Sequence, residues 1–571
     1  MVTSPGGNSI PPATDRPSSR SPESVLPSGS SSRITRTPLV GRRGTAPRLA
    51  SPRLASRSVV HRRGAGGSPG LAGLDGDISH ASARQHAGDL VTTTDVDPAG
   101  PTTLPPLTDG PHRKRLGVVA LVATFGGLLF GYDTSVVNGA ISPMADELHL
   151  TAVTEGWVTS ALLFGAAVGA VAGGRLSDVR GRRWSIMLMA VLFLVGTVVC
   201  VAAPTFGWMV VGRAVLGLAV GGASTIVPVY LAELAPFEVR GSIAGRNELA
   251  IVAGQLAAFV VNAVIGSVWG DIVGVWRIML AVEALPAIAL FVGMVRMPES
   301  PRWLVVEGRV AEAVAVLHSI RSPERAEAEV AQVVEATGGA VGPGSSTWTE
   351  ILRNRWLVRI LLVGIGLGVA QQLTGINAIM YYGQIVLTES GFSASAALIA
   401  NVGPGVIAVI GAVIALRMID RCSRRRTFVT GFTLTTVSHL LIGIGSLALP
   451  EGDPARPWVI LFLVVLFVGS MQTFLSVAVW VTLSEIFPLR MRAFGMGVSV
   501  FCLWIANALL GLSFPSVLAT LGITGSFFGF AVLNALALWF VWRAVPETRG
   551  RTLEQLEQDV AAGAIHQVRG H

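Results

Sequence analysis

GGRLSDVRGRR, residues 173–183, sets four arginines and one aspartate between two long apolar runs, and its pattern returns as ALRMIDRCSRR at 415–425. Laying Asp178 on Asp420 gives an offset of 242 residues. LAELAPFEVRG around Glu233 returns as LSEIFPLRMRA around Glu485, 252 residues on. MPESPRWL at Pro298 returns as VPETRGRTLEQLE at Pro546, 248 on. Three markers at nearly one spacing are the mark of an internal duplication.

Between the markers lie apolar segments near 116–137, 157–177, 184–203, 207–230, 244–267, 277–297, 357–382, 395–417, 427–449, 457–484, 494–518 and 523–543. Each is about twenty residues, enough to cross roughly 30 Å of hydrocarbon as a helix. The chain is 51% hydrophobic and 14% charged, and its mean hydropathy is +0.60. The expected fold is an all-α membrane protein with twelve transmembrane helices in two six-helix pseudo-repeat halves. The halves span 113–298 and 357–545, joined by a polar linker over 299–356 and ending in a tail over 546–571. Parallel repeats of this kind face each other across a midplane cavity that opens to alternate sides.

Charge sets the orientation. HRKR at 112–115, the 173–183 loop, FEVRG, RNR at 353–355 and DRCSRRR place basic residues on one side. ISPMADELHLTAVTEG and LTESGFSAS, on the other, contain none. By the positive-inside rule both termini are cytoplasmic, in a multi-pass protein of the cell membrane. Residues 1–115 hold 15 Arg/Lys against 8 Asp/Glu, seven of the chain's eight net positive charges. The membrane part is therefore close to neutral, and no nucleic-acid partner is implied. Residues 1–112, rich in Pro, Ser, Gly and Arg, read as a disordered, passive tail. Cys200, Cys422 and Cys502 form neither a disulfide framework nor a metal-spaced cluster. No cofactor, metal or enzymatic nucleophile–base pair is expected.

Three ionisable residues stand inside apolar spans of the first half: Asp133 in FGGLLFGYDTSVVNG, Arg213 in MVVGRAVLGLAVGG and Glu283 in WRIMLAVEALPA. A charge at mid-membrane costs roughly 2.5–3.5 kcal/mol even on forgiving scales, and such residues pair with one another or line a functional path. Asp133, Arg213 and Glu283 are expected to cluster. A buried arginine keeps its proton while a carboxylate exchanges one, so Asp133 is the expected proton switch. The alternative is a permanent structural salt bridge. In the second half QQLTGINAIMYYG offers Gln371, Gln372, Asn377 and Tyr381, the last three expected to share one helix face. That is an amide-rich wall suited to a polyhydroxylated ligand.

The paired loops, PESPRWL, PETRG and QQLTGIN together resemble the sugar-porter branch of the major facilitator superfamily over about residues 113–560. The resemblance implies proton-coupled transport, because such porters carry an aspartate, an arginine and a glutamate at the positions of Asp133, Arg213 and Glu283. It also implies substrate-stacking roles for Trp480 and Trp504. The loop charges Asp178, Arg182, Arg183, Glu233 and Arg240, with Asp420, Arg424, Glu485 and Arg490 in the second copy, are expected to latch the halves in one state and release them in another.

Departures from the family pattern bear on substrate. Glu248 stands where glutamine is usual, Ala408 replaces an asparagine and Leu503 a polar residue. Ser423 stands where the second loop repeat usually has glycine, which makes that copy a poorer match to the latch motif. An ionised glutamate only accepts hydrogen bonds, which favours a ligand presenting hydroxyl donors all round. NELAIVAGQLAAFVVNAVIG and TEGWVTSALLFGAAVGA look most like the bacterial myo-inositol–proton symporter group. The expectation is a monomeric importer of myo-inositol and protons. A broader monosaccharide–proton symporter is the first alternative, and a non-transporting nutrient sensor the second. Glu248 has a plainer reading too, as a partner of Arg246 or a neutral carboxyl.

Overall fold

The computed structural model describes residues 104–107, 111–338, 353–419, 421–488 and 491–547. Asp420, Arg490, the tail over 1–103 and the segment 548–571 lie outside the described residues, as does the side chain of Arg240. Among the described residues eleven helices are long and apolar enough to cross a membrane. One of them, Arg492–Ala544, runs 53 residues, about 80 Å of helix at 1.5 Å per residue and far more than one crossing needs. Gly522 divides it, with φ 62° and ψ −173°. Only glycine adopts that backbone routinely. Spans 11 and 12 therefore meet at a single residue, and the crossings among the described residues number twelve, six on each side of the linker.

The first half comprises span 1 (Pro111–Leu148), span 2 (Ala152–Arg180), span 3 (Arg182–Val201), span 4 (Phe206–Leu234), span 5 (Arg240–Trp269) and span 6 (Val275–Val295). Small residues let spans 2 and 4 touch backbone to backbone: a Cβ on Gly217 or Gly221 would run into the Leu162 or Ala166 carbonyl. Helices in lipid associate by such close packing. The second half comprises span 7 (Arg355–Ser390), span 8 (Ala394–Met418), span 9 (Arg424–Ala448), span 10 (Arg456–Ile486) and the pair 11–12.

Spans 6, 7 and 10 are interrupted where function is expected. Pro286 has no N–H and crowds the carbonyl four residues back. Span 6 accordingly tightens at Val282 and Glu283, where Glu283 N donates to Leu280 O at 3.2 Å. Span 7 stops at Leu373, turns at Gly375 (φ 79°) and restarts at Ile376. The freed Thr374 carbonyl accepts from His439 Nε2 of span 9 at 2.8 Å, and that of Leu373 from Asn534 Nδ2 of span 12 at 3.3 Å. Broken helices survive at membrane depth when neighbours supply the missing bonds. Span 10 carries a π-helical turn at Gln472–Ser476.

The linker contains helices Pro301–Val306, Val310–Ile320 and Pro323–Gly338. It is anchored to the first half: Arg321 Nη2 donates to Leu234 O at 2.8 Å and Arg325 pairs with Glu238 at 3.0 Å. Arg325 also donates to the Pro105 carbonyl, so the chain just before span 1 touches the linker. The helix of span 1 begins at Pro111.

Candidate functional site

The face carrying the duplicated loops is the motif face, and the other the opposite face. At the motif face Arg182 pairs with Glu233 at 3.0 Å and with Asp178 at 3.0 Å, while Glu299 accepts the backbone N–H groups of Arg182 and Arg183 at 2.9 and 3.1 Å. The second half repeats this. Arg424 pairs with Glu485 at 3.0 Å, and Glu547 accepts from Arg424 N at 3.0 Å. Arg424 also donates to the Ile419 carbonyl just past span 8, so these bonds bind spans 2, 3, 4 and 6 to one another and spans 8, 9, 10 and 12 likewise. The latch was expected between the halves; the ion pairs formed by Asp178, Arg182, Glu233, Arg424 and Glu485 run within each half. Arg183 is held the same way, donating to Met294 O at 3.1 Å. Ser423, in place of the usual glycine, joins the second copy's bonds: its hydroxyl donates to Glu547 and accepts from Arg426 N.

Inside the first half the three expected charges meet. Arg213 Nη1 lies 2.8 Å from Asp133 Oδ1, and both side chains are at most 2% exposed. Arg213 Nε donates to Val158 O of span 2 at 3.3 Å. Glu283 lies beside the pair on the tightened turn of span 6. Its Oε1 lies 3.1 Å from Thr197 Oγ1 of span 3. The other oxygens, Asp133 Oδ2 and Glu283 Oε2, are buried with no donor.

Inside the second half the amides gather, with one correction. Gln372, Asn377 and Tyr381 do not share a face of one helix, because the turn at Gly375 separates Gln372 from the other two. They converge across the break: Asn377 Nδ2 donates to Gln372 Oε1 at 2.7 Å, and Gln372 Nε2 lies 3.4 Å from Gln371 Oε1. Tyr381 accepts from Asn507 of span 11 at 3.0 Å. Trp504, buried, meets Phe130 of span 1 edge-on at 5.5 Å between ring centroids, across the two halves. Trp480 is half-buried on span 10. Glu248 Oε1 accepts from Ser476 Oγ at 2.8 Å, whereas Arg246 is exposed. Ala408 and Leu503 are both buried. Gln255 Oε1, Gln472 Oε1, Asn507 Oδ1 and Trp504 Nε1 are buried polar atoms without partners. That set of acceptors and one donor suits hydroxyl groups. Among the described residues no group of three or more His, Cys, Asp or Glu is placed to hold a metal ion.

Sequence reasoning passed over Asn138, five residues beyond Asp133 in the same stretch. Span 7 kinks at Tyr382 (φ −128°). In a regular helix the Gln384 N–H would bond the Met380 carbonyl. Here Asn138 of span 1 serves both: its Nδ2 donates to Ile379 O and Met380 O at 3.0 and 2.9 Å, and its Oδ1 accepts from Gln384 N and from Asn401 Nδ2 of span 8, each at 2.8 Å. Ser160 of span 2 adds a bond to Ala508 O of span 11 at 2.8 Å. These contacts join the halves on the opposite face. Beyond them lies a cavity of about 370 Å³ lined by Asp146, Glu155, Tyr382, Glu389 and Phe514. The signal available in the sequence was a lone amide in an otherwise apolar run.

The family model for "Sugar (and other) transporter" matches residues 119–560. The chain belongs to that family. It is 50% identical over 455 residues to the major myo-inositol transporter IolT of Bacillus subtilis, covering 79% of this chain and 96% of that protein. It is 34% identical to the galactose-proton symporter of Escherichia coli over 78% of this chain and 94% of that one. Among solved structures, a partially occluded inward-open conformation of the E. coli xylose transporter XylE superimposes with a TM-score of 0.67 at 29% identity, over 77% of this chain and all of that one. The described residues thus have the helical, two-half fold expected from the sequence.

Proposed function

We propose that the chain imports a polyol, myo-inositol, together with protons, by alternating access as a monomer in the cell membrane, with the motif face and both termini in the cytoplasm. The Asp133–Arg213–Glu283 cluster carries this reading. Two carboxyls adjoin one guanidinium, and each keeps a buried oxygen without a donor. Thr197 has one hydroxyl proton and lies within bonding distance of both Phe193 O and Glu283 Oε1. An exchangeable proton on the carboxyl pair turns one of these bare oxygens into a donor. Arg213 neutralises Asp133 when the proton leaves. One charge moved through 100 mV supplies about 2.3 kcal/mol, roughly fiftyfold accumulation at about 1.4 kcal/mol per decade.

The substrate reading rests on Glu248, which meets Ser476 of the second half and can only accept hydrogen bonds when ionised. The 50% identity to a myo-inositol transporter supports it. The similarity to a galactose-proton symporter favours a second reading, a monosaccharide substrate. Both are tested with the full chain in proteoliposomes under an imposed pH gradient, following labelled myo-inositol with unlabelled sugars as competitors. Uphill uptake of inositol that glucose, galactose and xylose fail to compete is the expected result. Asp133→Asn should abolish accumulation and leave substrate exchange intact. Normal accumulation by that variant would remove the coupling assignment.

A further inference from the structure

Glu248 sits on span 5, in the first half, and Ser476 closes the π-helical turn of span 10, in the second. Their 2.8 Å hydrogen bond therefore ties one half directly to the other. We infer that Ser476 is a built-in surrogate for a substrate hydroxyl, holding the Glu248 carboxylate until a substrate hydroxyl takes its place. The inference rests on the reading of Glu248 as a substrate acceptor and adds a second residue to specificity.

The chemistry of the pair points this way. A serine side chain ends in the same C–O–H group that a polyol presents, and a carboxylate accepts from either. The bond is not an accident of a mobile surface residue, because Ser476 is only 7% exposed. A π-turn carries one residue more than the α-helix it interrupts and re-aims the side chains that follow, which is why such turns recur at functional sites. This one is clamped from two sides. A Cβ on Gly411 would lie 2.9 Å from Gln472 Cβ, and one on Gly431 would lie 2.6 Å from the Leu475 side chain. Spans 8 and 9 have been kept bare there so that the turn fits. The same turn leaves Gln472 Oε1 buried without a donor. Substrate arriving at Glu248 can give one hydroxyl to the carboxylate, and the Ser476 hydroxyl it displaces is free to turn to the ligand.

Two consequences follow. Substrate competes with Ser476 for Glu248, so the serine lowers affinity. Binding also cuts a tie between the halves, so occupancy and release of the halves become one event.

The test uses purified full-length protein and titration calorimetry with myo-inositol. Ser476→Ala should bind about three- to tenfold more tightly, the range of one net hydrogen bond. Ser476→Thr keeps the hydroxyl and should match the parent. Ser476→Cys, a weaker donor of similar size, should fall between, and it serves in place of alanine should that variant fail to fold. In a Glu248→Gln background the gain from Ser476→Ala should shrink below about twofold. Weaker or unchanged binding by Ser476→Ala, with Glu248→Gln still impaired, would overturn the surrogate and leave Glu248 as a substrate residue. Unimpaired binding by Glu248→Gln would remove both. Should the parent bind a monosaccharide and not inositol, the same series with that sugar decides.

Discussion

At the motif face Arg182 meets Glu233 at 3.0 Å and leans its backbone on Glu299, and 242 residues later Arg424 meets Glu485 at 3.0 Å and leans on Glu547. Midway through the membrane the likeness ends. The first half buries Asp133, Arg213 and Glu283; the second buries Gln371, Gln372, Tyr381, Asn507 and Trp504. Duplicated scaffolding has been kept where each half must move as a unit, while the interiors have been divided between charge and amide. Under the proposed function the proton site lies in the first half while the substrate touches both, through Glu248 and the amides of the second half, so their coupling crosses the interface.

The largest effect should come from the charged side. Arg213→Ala leaves Asp133 unpaired in low dielectric, at a cost of several kcal/mol. Loss of transport and a sharp fall in folded protein recovered on size exclusion are expected. A well-folded Arg213→Ala carrier would mean that the first half does not depend on its ion pair. On the boundary between the halves, Glu248→Gln removes a charge-assisted bond worth about 1.5–3 kcal/mol. Inositol affinity should drop roughly ten- to a hundredfold while affinity for pyranose sugars holds or rises. The ratio is the readout, since general damage would lower both.

Asn138→Ala strips bonds from the kink of span 7 and leaves the buried Gln384 N–H without its acceptor, a penalty of about 1–3 kcal/mol. Hydrogen exchange of the amides around 379–386 should rise, with a lowered melting temperature. Unchanged protection there would show that the halves are held on the opposite face by Ser160 and its neighbours instead. The smallest effect belongs to the loops. Ser423→Gly makes the second copy resemble the first and should cost only a few tenths of a kcal/mol in thermal stability. A large loss would show that the two loops are less equivalent than their ion pairs suggest; their backbones already differ, with φ +91° at Gly181 and −65° at Ser423.

Much of this was legible in the chain itself. Twelve apolar runs and three repeated markers are long, redundant signals, so span number and the two halves followed from them. Asp133, Arg213 and Glu283 were legible as a cluster because charges in lipid have few alternatives to pairing. The breaks were harder. QQLTGIN contains the glycine that ends one helix and starts the next, yet apolar flanks on both sides make the span look continuous. Asn138 was hidden for a different reason: its role depends on a kink in span 7, 241 to 246 residues away. Ser476 depends likewise on a π-turn, and one extra residue per turn leaves no mark in composition. The loop ion pairs were recognised as pairs, but whether they run within or between halves is a matter of tertiary geometry.

Gly522 has a further consequence for how the chain can be taken apart. Most consecutive spans are joined by a connection of several residues, such as the one between Leu449 and Ala455. At Gly522 there is no such connection, only one residue whose φ of 62° turns the backbone. A Cβ there would meet nothing within 4 Å, so the demand for glycine is conformational and owes nothing to crowding. A protease working from the aqueous side finds no strand of chain to enter between spans 11 and 12. The two persist as one indivisible fragment, and a gene split at that point would yield pieces with no loop to rejoin.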